Sequence, residues 1–260
     1  MRFDGRVVLV TGAVGGIGAE LCRRFVAEGA VVVGADLDDE AVRRQAERDG
    51  WARGVRLDVT DGPRVRETFA ALAAGVGPVD VLVNNAAACD DADFAHLTEE
   101  HWDREVAVTL KGTFLCSQAA LPAMIERGGG AILNVASVNA VTYAGNEAYS
   151  AAKAGMLSLT RSIAVRYGGR GVRCNAVLPG TIHTPVWDTR LAVDPTVLDR
   201  VTKWYPLGRV GAPADVAEAI LFLCSAQAAW ITGAALPVDG GLLAGNVALT
   251  DDIVIAGGDG

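Results

Sequence analysis

Histidine is scarce, with three in 260 residues, and the five cysteines (Cys22, Cys89, Cys116, Cys174 and Cys224) are scattered without a C-x-x-C pair. Neither pattern offers the close ligand spacing of a zinc site, so no metal is expected. An odd number of thiols in apolar settings reads as reduced and mostly buried, as in the cytoplasm, and not as a disulfide framework. Basic clusters are missing as well. The chain has 23 Lys and Arg against 31 Asp and Glu, a net charge of −8, which argues against a nucleic-acid surface. No uninterrupted apolar run approaches a membrane span. Met1-Arg2-Phe3-Asp4-Gly5 passes directly into a strand-like run, so a signal peptide is not expected and a cytoplasmic, soluble protein is. Repeats, low-complexity tracts and composition breaks are also lacking. With 51% apolar residues, 1–260 is expected to form one domain with a sizeable α/β core.

What is present begins with Arg6-Val7-Val8-Leu9-Val10, the β-branched run of a buried parallel strand. It enters Thr11-Gly12-Ala13-Val14-Gly15-Gly16-Ile17-Gly18, and a helical pattern follows from Ala19 to Glu28. Glycines between a strand and a helix let the backbone turn tightly and come close to a pyrophosphate, which the helix N-terminus then meets with amide donors. The spacing is Gly-x-x-x-Gly-x-Gly, and its position in the chain gives it more weight than its pattern.

A second strand, Ala30 to Ala35, ends on Asp36, close to twenty residues past the glycines. A carboxylate there accepts hydrogen bonds from a ribose 2′-hydroxyl and repels a 2′-phosphate, so NAD is favoured over NADP. The competing role is a cap on the next helix, which Asp38 or Asp39 fills equally well. Helical and strand patterns go on alternating. Ala41 to Asp49 is helical, Val55-Arg56-Leu57 leads to Asp58-Val59, Pro63 to Ala74 is a helix, and Val79 to Val83 leads into Asn84-Asn85-Ala86-Ala87. A helix capped by Thr98 runs toward Arg127, a strand ends near Ser137, and Val172 to Leu178 is another strand. This order predicts a Rossmann-like, doubly wound parallel β-sheet with helices on both faces.

Ala148-Tyr149-Ser150-Ala151-Ala152-Lys153 opens an alanine-rich helix in which Tyr149 and Lys153 share a face. An ammonium beside a phenol favours the phenolate, so the pair predicts a lowered Tyr149 pKa and proton exchange with an alcohol or carbonyl oxygen. Ser137, at the end of Ala131-Ile132-Leu133-Asn134-Val135, is placed to hold the same oxygen. A surface Tyr and Lys on an ordinary helix is the plainer alternative.

Taken with Asp58-Val59, Asn84-Asn85-Ala86, Asn175-Ala176-Val177-Leu178-Pro179-Gly180 and Val238-Asp239-Gly240-Gly241, these motifs resemble the short-chain dehydrogenase/reductase family, in order, from about Arg6 to Gly241. The resemblance implies an oxidoreductase with Tyr149 as acid/base, Ser137 orienting the substrate oxygen, and Lys153 binding the nicotinamide ribose and lowering the Tyr149 pKa. It implies that Gly12, Gly15, Gly16, Ile17 and Gly18 surround the pyrophosphate and that Asp36, with Leu37, holds the adenosine ribose. Asp58 and Val59 would flank the adenine, Asn85, Ala86 and Ala87 would line the channel, and Pro179, Gly180, Ile182 and Thr184 would close over the carboxamide. It further implies a homotetramer. Three positions depart from the family pattern. Thr109, within Val108-Thr109-Leu110, stands where Asn is usual and is taken as a catalytic position in a modified proton relay. Ala87 replaces a usual Gly, and Gly15 a usual Ser or Arg.

The segment 183–208 is expected to be a substrate lid, with Trp187, Trp204 and Tyr205 exposed for stacking, or else the two tryptophans anchoring it, with His183 available to substrate or merely solvated, and with Arg190 pairing a substrate anion or a surface carboxylate. Residues 242–260 are expected to form a C-terminal extension that crosses to another subunit or frays. The expected reaction is NAD(H)-dependent hydride transfer on a secondary alcohol or ketone, with a sugar or polyol among the candidates. The alternatives are an NADPH-dependent 3-oxoacyl-thioester reductase and a catalytically impaired cofactor sensor.

Overall fold

β1 (Val7–Thr11) is buried along its whole length, and its alternate side chains enter two different cores. Val8 and Val10 face one, while Val7 and Leu9 face the other. A strand covered on both faces reads as a continuous apolar run, as this one does. The structure is a computed structural model that describes residues 1–90 and 93–245.

Six further strands join it: β2 (Val31–Asp36), β3 (Arg53–Arg56), β4 (Val81–Asn84), β5 (Gly130–Val135), β6 (Val172–Pro179) and β7 (Ala235–Val238). They form one sheet in the order β3-β2-β1-β4-β5-β6-β7, parallel at every pairing. The helices are α1 (Gly16–Ala27), α2 (Asp39–Asp49), α3 (Gly62–Gly75), α4 (Glu99–Val106), α5 (Gly112–Glu126), α6 (Glu147–Tyr167), α7 (Asp188–Val193), α8 (Val197–Thr202) and α9 (Pro213–Cys224). Leu21 and Phe25 of α1, Val42 of α2 and Ile220 of α9 cover one face of the sheet. Phe69 of α3, Met124 of α5 and Ile163 of α6 cover the other. The predicted doubly wound sheet is the observed one.

Several boundaries differ from the sequence expectation. The strand placed at Val55–Leu57 is Arg53–Arg56, and Leu57 instead gives its N–H to the Asp36 carbonyl at 2.8 Å. The helix expected to run from Thr98 toward Arg127 is interrupted by a wider π turn at Ala107–Lys111, which contains Thr109. Of the expected C-terminal extension, 246–260 lie outside the described residues. Among the described residues no helix is long and apolar enough to cross a membrane.

Candidate active site

Strand order reverses between β1 and β4, so the connections leaving these neighbours diverge and open a crevice at their carboxyl ends. The Gly12 turn leaves β1 there and Asn85 leaves β4. Thr11 and Asn85 lace the two ends together. The Thr11 hydroxyl oxygen accepts from the N–H of Asn85 (3.0 Å) and of Ala86 (3.1 Å), while the Asn85 amide donates to the carbonyls of Thr11 (3.1 Å) and Gly12 (2.9 Å). Gly12 has φ +64°, and a Cβ on it would lie 3.0 Å from Ala86 Cα, so only glycine fits this closure.

The crevice is a cleft of about 750 Å³. Gly12, Gly15, Asp36, Leu37, Asp58, Val59, Asn85, Ala86 and Ala87 line it, as the sequence placed them. Val14, Leu57, Ala88, Cys89, Arg104, Val108 and Val186 line it too. Sequence reasoning missed these seven, because nothing local marks such apolar or distant residues as part of a wall. Gly15, the N-cap of α1, has no side chain to cap the helix. The first amides of α1 are therefore left to an outside acceptor, and a pyrophosphate suits their charge. The Asp36 carboxylate accepts from Val14 N–H (3.0 Å) and Leu37 N–H (2.8 Å), which fixes the turn while lone pairs remain for a ribose hydroxyl. The capping alternative falls to Asp38, which accepts from Ala41 N–H. Asp58 likewise caps its own turn, through Thr60.

Outside that lining, Ser137 follows β5, the parallel neighbour of β4. Its hydroxyl donates to Asn139 Oδ1 (3.0 Å), and Asn139 in turn holds the Gly145 carbonyl (3.0 Å) and Ser150 Oγ (3.2 Å). This fixes the approach to α6. Tyr149 and Lys153 lie one turn apart on α6, with the ammonium nitrogen 5.2 Å from the phenol ring centre. Lys153, only 2% exposed, donates to the Val135 carbonyl. Asn146, at φ +56° before α6, donates to Cys89 Sγ at 2.7 Å and so joins this group to the cleft wall.

The expected electrostatics are corrected here. Burial pushes the Tyr149 phenol up, and its hydrogen bond with Ser137 offsets only part of the rise. Burial also pulls Lys153 down to about 7. Both groups have left water, and the desolvation penalty on each charged form exceeds their mutual attraction. The protein by itself therefore holds a neutral phenol beside a lysine that is not a fixed cation.

Thr109 is 0% exposed, and its hydroxyl bonds both the N–H and the carbonyl of Ala88. It builds the cleft wall and lies on the side of α4 and α5. From Pro179, the last residue of β6, the strap carries Gly180, Ile182 and Thr184 over to the turn: a Cβ on Gly16 would lie 2.7 Å from Thr184, so that position is small because the strap lies on it. Ile17 and Gly18 continue behind it as the first turn of α1. In the lid, His183 is exposed, Trp187 stacks with Arg190 at 4.9 Å, and Trp204 is half-exposed. Tyr205, expected to be exposed, is buried.

A family model described as enoyl-(acyl carrier protein) reductase matches residues 12–243. An oxidoreductase of Schizosaccharomyces pombe is 45% identical over 97% of this chain and 96% of its own. The (3R)-3-hydroxyacyl-CoA dehydrogenase of Mus musculus is 40% identical over 93% of this chain and 98% of its own. Among solved structures, a short-chain dehydrogenase/reductase family oxidoreductase of Burkholderia thailandensis superposes with a TM-score of 0.92 at 44% identity, covering 97% of this chain and 98% of that one.

Proposed function

The chain belongs to the short-chain dehydrogenase/reductase family of oxidoreductases acting on hydroxyl groups, and from that premise we propose that it interconverts a secondary alcohol and its ketone with NAD(H). The observation that carries the reading is the Tyr149–Lys153 pair beside Ser137, next to a cleft whose glycine turn and uncapped helix end suit a dinucleotide. Nicotinamide, when bound, supplies the acceptor or donor of the hydride.

The roles of the chain's own groups follow. Tyr149 takes the proton of the alcohol oxygen, or returns it in the reverse direction, and Ser137 holds that oxygen from a second side. Lys153 becomes a stable ammonium when negative charge is brought beside it, and then favours the Tyr149 phenolate. Gly12, Gly15, Gly16, Ile17 and Gly18 cradle the pyrophosphate. Asp36 and Leu37 hold the adenosine ribose, Asp58 and Val59 flank the adenine, and Asn85, Ala86 and Ala87 line the path between. Pro179, Gly180, Ile182 and Thr184 close the nicotinamide end. Thr109 serves the reaction by holding the Ala88 wall. We place 183–208 as the lid of a single domain, in a soluble, cytoplasmic homotetramer. Fully exposed Trp230 and largely exposed Val165 support that assembly, since both are apolar and uncovered in one protomer.

A second reading is reduction of a 3-oxoacyl thioester with NADPH; the acyl-carrier-protein family model and the mouse hydroxyacyl-CoA relative support its thioester substrate class. Asp36 argues against its cofactor. Titrating the protein with NADH and NADPH, then assaying secondary alcohols and 3-hydroxyacyl thioesters by absorbance of the reduced cofactor, separates the readings. Preference for NADPH would overturn the role given to Asp36, and tight NADH binding without turnover on either substrate panel would favour a sensor.

A further inference from the structure

The strap that closes the cleft is fastened from behind by one phenol. Tyr205, 5% exposed, lies between the lid and the end of β6. Its hydroxyl oxygen accepts from Thr181 N–H at 2.7 Å and donates to Thr181 Oγ1 at 2.8 Å. Its ring lies against Gly180, within 2.9 Å of where a Cβ would stand. Beyond this point Gly211 N–H donates to the Thr181 carbonyl (2.9 Å) and His183 N–H to the Gly211 carbonyl (2.8 Å), while the Ile182 side chain packs into the core. On its other side the strap ends with Thr184 resting on Gly16. The side-chain hold at the start of the strap is thus given by a residue 24 positions away in sequence, from the far side of the lid.

We propose that Tyr205 is a positioning residue for the nicotinamide half of the dinucleotide: its hydroxyl fixes Thr181, and through Thr181 the height at which 180–184 closes on the glycine turn. The proposal rests on the reading that this strap holds the cofactor. Two hydrogen bonds to one residue, one to its backbone and one to its side chain, set a position more narrowly than packing does, because hydrogen bonds weaken steeply with angle and distance. The residue is buried, and its bonds to Thr181 border a cavity of about 470 Å³ that both residues line.

Tyr205→Phe keeps the ring on Gly180 and removes only the hydroxyl. In the protein without cofactor, amide hydrogen exchange at Thr181 becomes faster. The NADH dissociation constant, read by fluorescence titration, rises about tenfold, the scale of one lost buried hydrogen-bond pair. KM for the dinucleotide rises alongside, while kcat and its pH profile stay as in wild type. Thr181→Val removes the partner oxygen from the other side and shifts binding in the same direction, and the double variant binds no worse than Tyr205→Phe alone. Wild-type-like exchange at Thr181, or NADH affinity within twofold of wild type, overturns the proposal. So does a change confined to kcat and its pH profile, which would make Tyr205 an acid/base group. A wild-type protein that binds neither NADH nor NADPH overturns the cofactor reading and this proposal with it, whereas failure in the variants alone overturns only the proposal.

Discussion

Thr109 and Ala88 hold each other through one hydroxyl, which accepts from the Ala88 N–H at 3.2 Å and donates to the Ala88 carbonyl at 3.4 Å. The Thr109 carbonyl is itself taken by the Thr113 hydroxyl at 2.8 Å, inside the π turn that interrupts the helix. π turns concentrate at functional sites, and this one aims its threonine at the wall of the cleft. Thr109→Val would leave two backbone groups of Ala88 unpaired, at a cost of about 1–3 kcal/mol, or a Tm lower by several degrees in a thermal melt. Thr109→Ser keeps the hydroxyl and is expected to melt close to wild type. Thr109→Asn adds volume where nothing is exposed and is expected to cost about 1–3 kcal/mol. A faster Thr109→Asn enzyme would instead assign the position to proton transfer.

Removing the phenol tests the chemistry directly. Tyr149→Phe keeps the ring beside Lys153 and removes the acid/base, so kcat is expected to fall by roughly 10²–10⁴-fold. NADH affinity, measured by fluorescence titration, is expected to change little. Residual turnover near the wild-type rate would move the proton to another group.

The buried lysine makes stability depend on pH with a definite sign. Its folded pKa is about 7, against an ordinary value of 10.5. Between those values the unfolded chain carries a proton that the folded one lacks, so this group's contribution improves as pH rises from about 7 toward 10.5 and is lost as pH falls through 7. Tyr149 acts at the other end. Its folded pKa lies above the ordinary 10.0, so its contribution is present below pH 10 and is lost as pH rises further. Melting the cofactor-free protein across pH 6 to 10 should show the Lys153 gain, and Lys153→Met should flatten it. An equal slope in both proteins would mean that Lys153 stays a cation in the fold.

Asp36 joins two roles that a single substitution will expose together. Its carboxylate holds the Val14 and Leu37 amides and faces the cleft. Asp36→Ala is expected to raise KM for NAD by about 10–100-fold, the range of a charge-assisted hydrogen bond, and to raise KM for NADP less. Comparing kcat/KM for the two cofactors in wild type and variant measures the shift. An unchanged ratio would leave the carboxylate a structural tie only.

Much of the site was legible in the chain because its signals are local. The β-branched run before Gly12, the glycines before α1 and the four-residue spacing of Tyr149 and Lys153 depend on strand and helix periods that neighbours in sequence determine. Their order along the chain sufficed for the doubly wound sheet, and the family resemblance for most of the cleft's lining, Asn85 included; the β1/β4 reversal that opens the cleft, and the ties of Asn85 to Thr11 and Gly12, were not visible.

Tertiary structure alone decided the rest. How far Tyr149 and Lys153 are withdrawn from water depends on everything packed around α6, and that burial reversed the pKa shift read from their spacing. Whether the Thr109 hydroxyl is free depends on Ala88, 21 residues away, and whether Tyr205 faces solvent depends on where the lid returns to β6. Periodicity along a chain specifies which face a side chain occupies. The solvent it loses and the partner it gains are set by segments that only folding brings together.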